Sequence, residues 1–207
     1  MTTTDALLEN ATAYADTFTK GDLPLPPARK IAVLACMDAR LNVYGLLGLQ
    51  EGDAHVIRNA GGVVTDDEIR SLAISQRLLG TEEIVLIHHT DCGMLTFTDD
   101  DFKAAVHEDT GIKPPWSAEA FSDLDTDVRQ SVARIQASPF VPRKDSIRGF
   151  VYEVETGKLR EVSRRRRGRR APGAGHRPAG AGPARASSRP RRGRGPRRGP
   201  GRRPRGR

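Results

Sequence analysis

Three short apolar runs, each followed by a helical or turn-forming stretch, constrain this chain more than any other feature. Ile31-Ala-Val-Leu-Ala-Cys36, Ala54-His-Val-Ile-Arg58 and Glu83-Ile-Val-Leu-Ile-His88 are rich in β-branched residues and lack the polar alternation of a half-exposed strand. Runs of that kind are buried on both faces, which is the condition of strands in a parallel sheet. Between and after them, the pattern predicts helices over Asn42–Gln50, with Gly52 breaking it, over about Asp66–Leu79, closed by Gly80, and over Thr98–His107. Phe121, Leu124, Val128, Val132 and Ile135 mark another amphipathic helix, and Ile147–Glu155 with Leu159–Val162 reads as a terminal hairpin around Thr156-Gly157. Strands alternating with helices at this spacing specify an α/β fold with a central, mainly parallel β-sheet flanked by helices. Ahead of it, Leu7, Ala11, Tyr14 and Phe18 fall on one face of a helix, with Thr4 as the expected N-cap.

Composition enters at Ser163, where it changes abruptly. Residues 163–207 comprise 18 Arg, 10 Gly, 7 Pro, 6 Ala, 3 Ser and one His, without a single acid or large apolar side chain. Such a segment cannot bury apolar surface to offset its ordering entropy, so a disordered cationic tail is expected there. The whole chain carries a formal charge of +8, which alone would indicate a nucleic-acid binder. Setting aside the tail's 18 Arg leaves 16 basic against 26 acidic residues in 1–162, a net charge of −10 on the part that folds. The expected organisation is one domain over 1–162 and the tail over 163–207. Three readings of the tail stand: non-specific electrostatic attachment to nucleic acid, an extension without function, or GC-rich triplets read out of frame. Eighteen Arg with no Lys favours the last.

No run of about 18 apolar residues is present, so no transmembrane helix is expected. The acidic, amphipathic start is unlike a basic, hydrophobic export signal, which points to the cytoplasm. There the two cysteines would stay reduced and serve as ligands or nucleophiles.

Both cysteines lie where ligands bind in parallel α/β sheets, beyond the carboxyl ends of strands. Cys36-Met-Asp38-Ala-Arg40 follows the first strand and His89-Thr-Asp-Cys92 follows the third. Two thiolates and one imidazole from neighbouring strand ends make three corners of a tetrahedron around Zn²⁺, with the fourth corner open for chemistry. Two thiolates cancel the charge of the ion, so its water is acidified less than the pKa of about 7 reached on a tris-histidine site. Asp38 beside Arg40 supplies the missing help: the carboxylate accepts a hydrogen bond and the guanidinium keeps it ionised. An extended chain over 36–40 would put Cys36, Asp38 and Arg40 on one side. His88 and His55 read as core histidines, because adjacent strand residues face opposite ways. Asn59–Gly62 reads as a tight turn near the metal pocket, Asp99–Asp101 as a solvated helix start, and Trp116 as a single loop aromatic.

The combination of Cys-x-Asp-x-Arg at Cys36–Arg40, Arg-Asn-Ala-Gly-Gly at Arg58–Gly62 and His-x-x-Cys-Gly at His89–Gly93 resembles the β-class carbonic anhydrases. The resemblance is to their compact prokaryotic branch and covers about residues 6–162. It implies one zinc ion per chain on Cys36, His89 and Cys92, and reversible hydration of CO₂ to bicarbonate and a proton by zinc-bound hydroxide. It implies Asp38 and Arg40 as the catalytic dyad, with Asp38 able to swing onto the metal as a fourth ligand in a closed form. It also implies a homodimer, often paired again into tetramers, with the N-terminal helix on the partner subunit. The N-terminal extension and metal-side glutamine of plant-like members are not placed here, and the tail has no counterpart. Two alternatives share the motif: hydrolysis of carbon disulfide or carbonyl sulfide on the same site, and a catalytically idle zinc-stabilised module with a nucleic-acid-binding tail.

Overall fold

A computed structural model describes residues 2–163; the tail expected over 163–207 lies outside the described residues except for Ser163. The three apolar runs form β1 (Ile31–Cys36), β2 (Ala54–Asn59) and β3 (Glu83–His89), joined by β4 (Ser146–Tyr152) and a short β5 (Leu159–Glu161). The sheet order is β2-β1-β3-β4-β5. The first three joints are parallel and β4–β5 is antiparallel. The fold class read from the sequence is therefore the one observed. The expected hairpin is present as well: Gly157, at φ +72°, closes a turn in which its N–H donates to the Glu153 carbonyl.

Period-2 alternation divides the core into two layers. Ala32, Leu34, Ile84 and Leu86 face α3 (Asp66–Arg77) and α5 (Leu124–Ala137), packing with Ile69, Leu72, Val132 and Ile135. On the other face Val33, Ala35 and Ile87 meet Leu41, Val43, Leu49 and Met94. Leu34, Leu72, Leu86 and Ile87 are fully buried. Burying an aliphatic side chain of that size contributes about 1.5–3 kcal/mol.

The helices start where their caps permit. Thr65 and Glu68 form a reciprocal capping box on α3, Thr98 caps α4 (Asp99–Thr110), and Asp123 caps α5. The second helix, α2 (Val43–Leu47), is shorter than expected, because Gly48 turns left-handed and closes it well before Gly52. Helix α3 likewise ends before Gly80 is reached. In the N-terminal helix α1 (Thr3–Asp16) the cap is Thr2, boxed with Asp5, rather than Thr4. Phe18 falls beyond its end, and no residue of α1 is buried among the described residues. No helix among them is long and apolar enough to cross a membrane.

Helix α5 lies so close on β4 that a Cβ at Gly149 would stand 2.2 Å from Val128 Cγ1. Valine has little rotamer freedom with which to yield. Gly149→Ala is expected to destabilise the domain by about 1–3 kcal/mol in chemical denaturation, the usual overpacking range. Val128→Ala, harmful alone, should recover part of that loss in the double variant.

Candidate metal centre

Parallel pairing of β1 with β3 in the register Ala35↔Ile87 brings the carboxyl ends of both strands together. Cys36, the last residue of β1, then meets His89, the last residue of β3, with Sγ 3.1 Å from Nε2. Cys92 comes from the loop after β3. One candidate ligand atom from each of the three lies within 4.8 Å of the others, and all three residues are buried. Both cysteines are free thiols.

The imidazole is oriented from behind. His89 Nδ1 is 2.8 Å from the Thr90 carbonyl, which only accepts, so Nδ1 carries the proton and the Nε2 lone pair faces the sulfurs. The thiols divide their roles. A hydrogen bond from Cys92 holds the Cys36 thiol well below its usual range, assisted by His89 and the Asp38 backbone against the cost of burial. That same bond to Cys36, together with burial, pushes Cys92 up, although the Met94 backbone opposes it. Burial alone would lower His89, but the Cys36 sulfur, Thr90 and Asp38 together raise it. Two sulfurs and a neutral imidazole are the donor set that suits Zn²⁺, so the residues present fit the ion.

Asp38 and Arg40 stand beside this cluster, though not for the expected reason. The strand ends at Cys36, and an extended chain over 36–40 is not observed. Instead the chain turns: the Arg40 N–H donates to Asp38 Oδ1 at 2.8 Å and the Leu41 N–H to the Asp38 carbonyl at 3.1 Å. The Arg40 guanidinium then folds back on the carboxylate, with Nε 3.0 Å from Oδ1 and Nη2 2.8 Å from Oδ2. This fork holds the Asp38 carboxyl far below the usual carboxylate range, burial opposing it only in part. Asp38 Oδ2 lies 3.6 Å from His89 Nε2, so the carboxylate faces the cluster while Arg40 engages both of its oxygens.

Two further residues serve the site and were missed in the sequence. Arg58, near the end of β2, donates to the carbonyls of Cys36 (2.7 Å) and Asp38 (2.9 Å), clamping the turn that carries both. Asp91, between His89 and Cys92, accepts from Arg40. Each sits inside a motif that was read for other residues; for Asp91 the available signal was a charged side chain between two candidate ligands, and for Arg58 a charge at the end of a strand neighbouring β1. The Asn59–Gly62 turn behaves as expected. Gly62, at φ +71°, leaves no room for a Cβ, which would lie 2.8 Å from the Cys36 nitrogen and 3.0 Å from the Ile87 carbonyl oxygen.

His88 points away from the cluster, as expected, with Nε2 2.6 Å from Asp127 Oδ2 on α5 and its ring against Phe121. His55 bonds Ser75. Asp99 departs from the expectation of a merely solvated charge. Its carboxylate accepts from the Ser117 hydroxyl and from the N–H groups of Ala118, Glu119 and Ala120, and so shapes that loop. Trp116 is half-exposed against Phe102.

Comparison with known proteins agrees with this geometry. A family model described as carbonic anhydrase matches residues 31–120. Beta-carbonic anhydrase 1 of Mycobacterium tuberculosis is 65% identical over 163 residues, which is 79% of this chain and 99% of that protein. A carbon disulfide hydrolase of Acidianus sp. is 38% identical over 182 residues, spanning 76% of this chain and 87% of the relative. Among solved structures, carbonic anhydrase from Streptococcus mutans superposes with a TM-score of 0.74 at 44% identity, covering 79% of this chain and 99% of that one.

Because Cys92 is pushed up by its bond to Cys36 and by burial, whereas zinc binds the thiolate, zinc added to the metal-free protein is expected to displace the Cys92 proton. Titration calorimetry at pH 7 in buffers of different ionisation enthalpy is expected to show release of about one proton per zinc. The metal-bound state holds fewer protons, so apparent affinity should rise with pH, roughly tenfold per unit for each proton released. Proton-neutral binding would contradict the assignment of the thiol states.

Proposed function

The chain belongs to the β-carbonic anhydrase family, and we propose that it catalyses the reversible hydration of CO₂ to bicarbonate and a proton. Cys36, His89 and Cys92 would hold one zinc ion per chain. The observation that carries this reading is the convergence of those three buried donors beside an intact Asp38–Arg40 pair. When bound, zinc supplies the Lewis acidity that makes a water-derived nucleophile available near neutral pH.

The remaining chemistry belongs to the chain. Asp38 is ionised throughout the working range, which makes it a poor base and a permanent acceptor. At Oδ2 it would accept a hydrogen bond from the O–H of the water-derived hydroxide, whose other proton has gone to solvent, and so leave the lone pair directed at the carbon of CO₂. Arg40 keeps that oxygen aimed and prevents Asp38 from drifting; the part of Asp38 as a fourth metal ligand requires these bonds to break. Arg58 and the Gly62 turn fix the backbone that carries Cys36, so orientation is set before substrate arrives.

Carbon disulfide as the substrate is the weaker reading. The relatives named for it are 35–39% identical, against 65% for the mycobacterial β-carbonic anhydrase. An idle zinc module has no need of the dyad. A homodimer is supported by α1, whose Leu7, Leu8 and Tyr14 are exposed in the single chain. Two free thiols are in keeping with the reducing cytoplasm. The enzyme domain would end near residue 162, since the mycobacterial relative is matched over 99% of its length by 163 residues of this chain. Segment 163–207 then contributes at most non-specific attraction to nucleic acid.

Metal analysis with stopped-flow CO₂ hydration tests the proposal. One zinc per chain with turnover rising with pH is expected; zinc without turnover at any pH would refute it. Asp38→Ala should keep zinc and lose roughly 100-fold or more in kcat, the scale of a positioned proton-handling group. His89→Ala should lose the metal and His88→Ala retain it, and the reverse result would exchange their roles.

A further inference from the structure

The Arg40 guanidinium is held from two sides. Nε and Nη2 fork onto Asp38, while Nη1 donates to Asp91 Oδ2 at 2.8 Å and Nη2 to the Asp91 carbonyl at 3.0 Å. One residue thus offers both its side-chain and its main-chain acceptor to one guanidinium. That requires the backbone of Asp91 to curl back, and it does: its φ is +54°, in the left-handed region that Gly adopts freely and that Asp and Asn enter more readily than most other residues. A left-handed non-glycine residue in a loop between two donors of a site marks a conformation retained for its consequences.

We propose that Asp91 is a positioning residue for the reaction, acting through Arg40 to keep Asp38 aimed at the cluster formed by Cys36, His89 and Cys92. The proposal rests on the hydration reading above. Its logic is geometric. Arg40 and Asp38 lie on the turn after β1, whereas Asp91 lies on the loop after β3 that carries Cys92. A guanidinium tied only to its own turn would swing with it. Tied also to the opposite loop, it fixes the carboxylate relative to the donors from both strands. Asp91 accepts two of these bonds and is not one of the three clustered donors, so it acts through Arg40.

Exposure sets the size of the effect. The Arg40 and Asp91 side chains are 49% and 78% exposed, so solvent screens the pair. Loss of the carboxylate should therefore lower kcat/KM by about two- to fivefold, not abolish it. Asp91→Gly and Asp91→Asn both tolerate the left-handed backbone and keep the carbonyl bond, which makes them cleaner than alanine. Asparagine retains a neutral acceptor and should recover part of the loss.

The experiment compares zinc-loaded wild type, Asp91→Gly and Asp91→Asn, each also in an Asp38→Ala background. The loss from Asp91→Gly should appear with Asp38 present, vanish without it, and leave zinc content unchanged. Independently of turnover, the Arg40 Nε–H signal in ¹⁵N-arginine NMR, assigned by its disappearance in Arg40→Lys, should exchange with solvent several-fold faster in Asp91→Gly. Equal loss in both backgrounds, a fall in zinc content, unchanged kcat/KM or unchanged exchange would each overturn the proposal. A wild type that binds zinc and hydrates no CO₂ would defeat the function reading instead, and the exchange measurement would still decide whether Asp91 holds Arg40.

Discussion

The parallel pairing of β1 between β2 and β3 is the constraint on which everything else depends. In a parallel sheet all carboxyl ends lie on one edge, so residues that end neighbouring strands become neighbours whatever their separation in sequence. Cys36 and His89 are far apart along the chain, yet the register that pairs Ala35 with Ile87 leaves their side chains in contact. The third neighbour, β2, ends on the same edge and supplies Arg58 and the Asn59–Gly62 turn. A slip of one residue in any of these pairings would turn the apolar faces over and disperse the site together with the core. Stability and chemistry therefore share one set of contacts.

That sharing explains which parts were legible in the sequence. β1 and β3 announced themselves because burial on both faces leaves little room for polar residues, and strand ends carrying Cys36 and His89 are points where such runs stop. His88 and His89 could be told apart because His-x-x-Cys spacing selects His89 and alternation then turns His88 to the other face. The turn that makes the dyad was not legible. It depends on a hydrogen bond from the Arg40 N–H to the Asp38 side chain, a local competition that an extended-chain reading ignores. Arg58, Asp91 and Asp99 were passed over for a related reason. Each is a charged residue whose partners are carbonyls, amides or a guanidinium distant in sequence, and no periodic pattern records such partners. Helix ends were misplaced where a left-handed glycine acted earlier than expected, as at Gly48.

Helix α1 is the opposite case. Its capping box is complete and its apolar side chains recur at helical spacing, so the local signal is strong. Yet none of its residues is buried among those described, because local propensity fixes a helix and says nothing about what covers it. Isolated helices of this length are marginal in water, and most helical stability comes from packing an amphipathic face. A second copy of the chain is the natural cover under the dimeric reading.

The donor set and the dyad are linked by charge. Two thiolates cancel the charge of a bound zinc ion, which weakens its pull on water compared with a site of three neutral imidazoles. A protein built on such a site must recover reactivity by orientation rather than by raw acidity. An aspartate whose proton affinity is suppressed by a guanidinium suits that need, because it accepts a hydrogen bond without competing for the proton. The same aspartate, 3.6 Å from His89 Nε2, would also be a strong ligand for a metal held by Cys36, His89 and Cys92. Restraint from Arg40 on one side, and from Asp91 behind Arg40 as proposed above, would therefore do two things at once: aim the acceptor and hold the carboxylate off the metal.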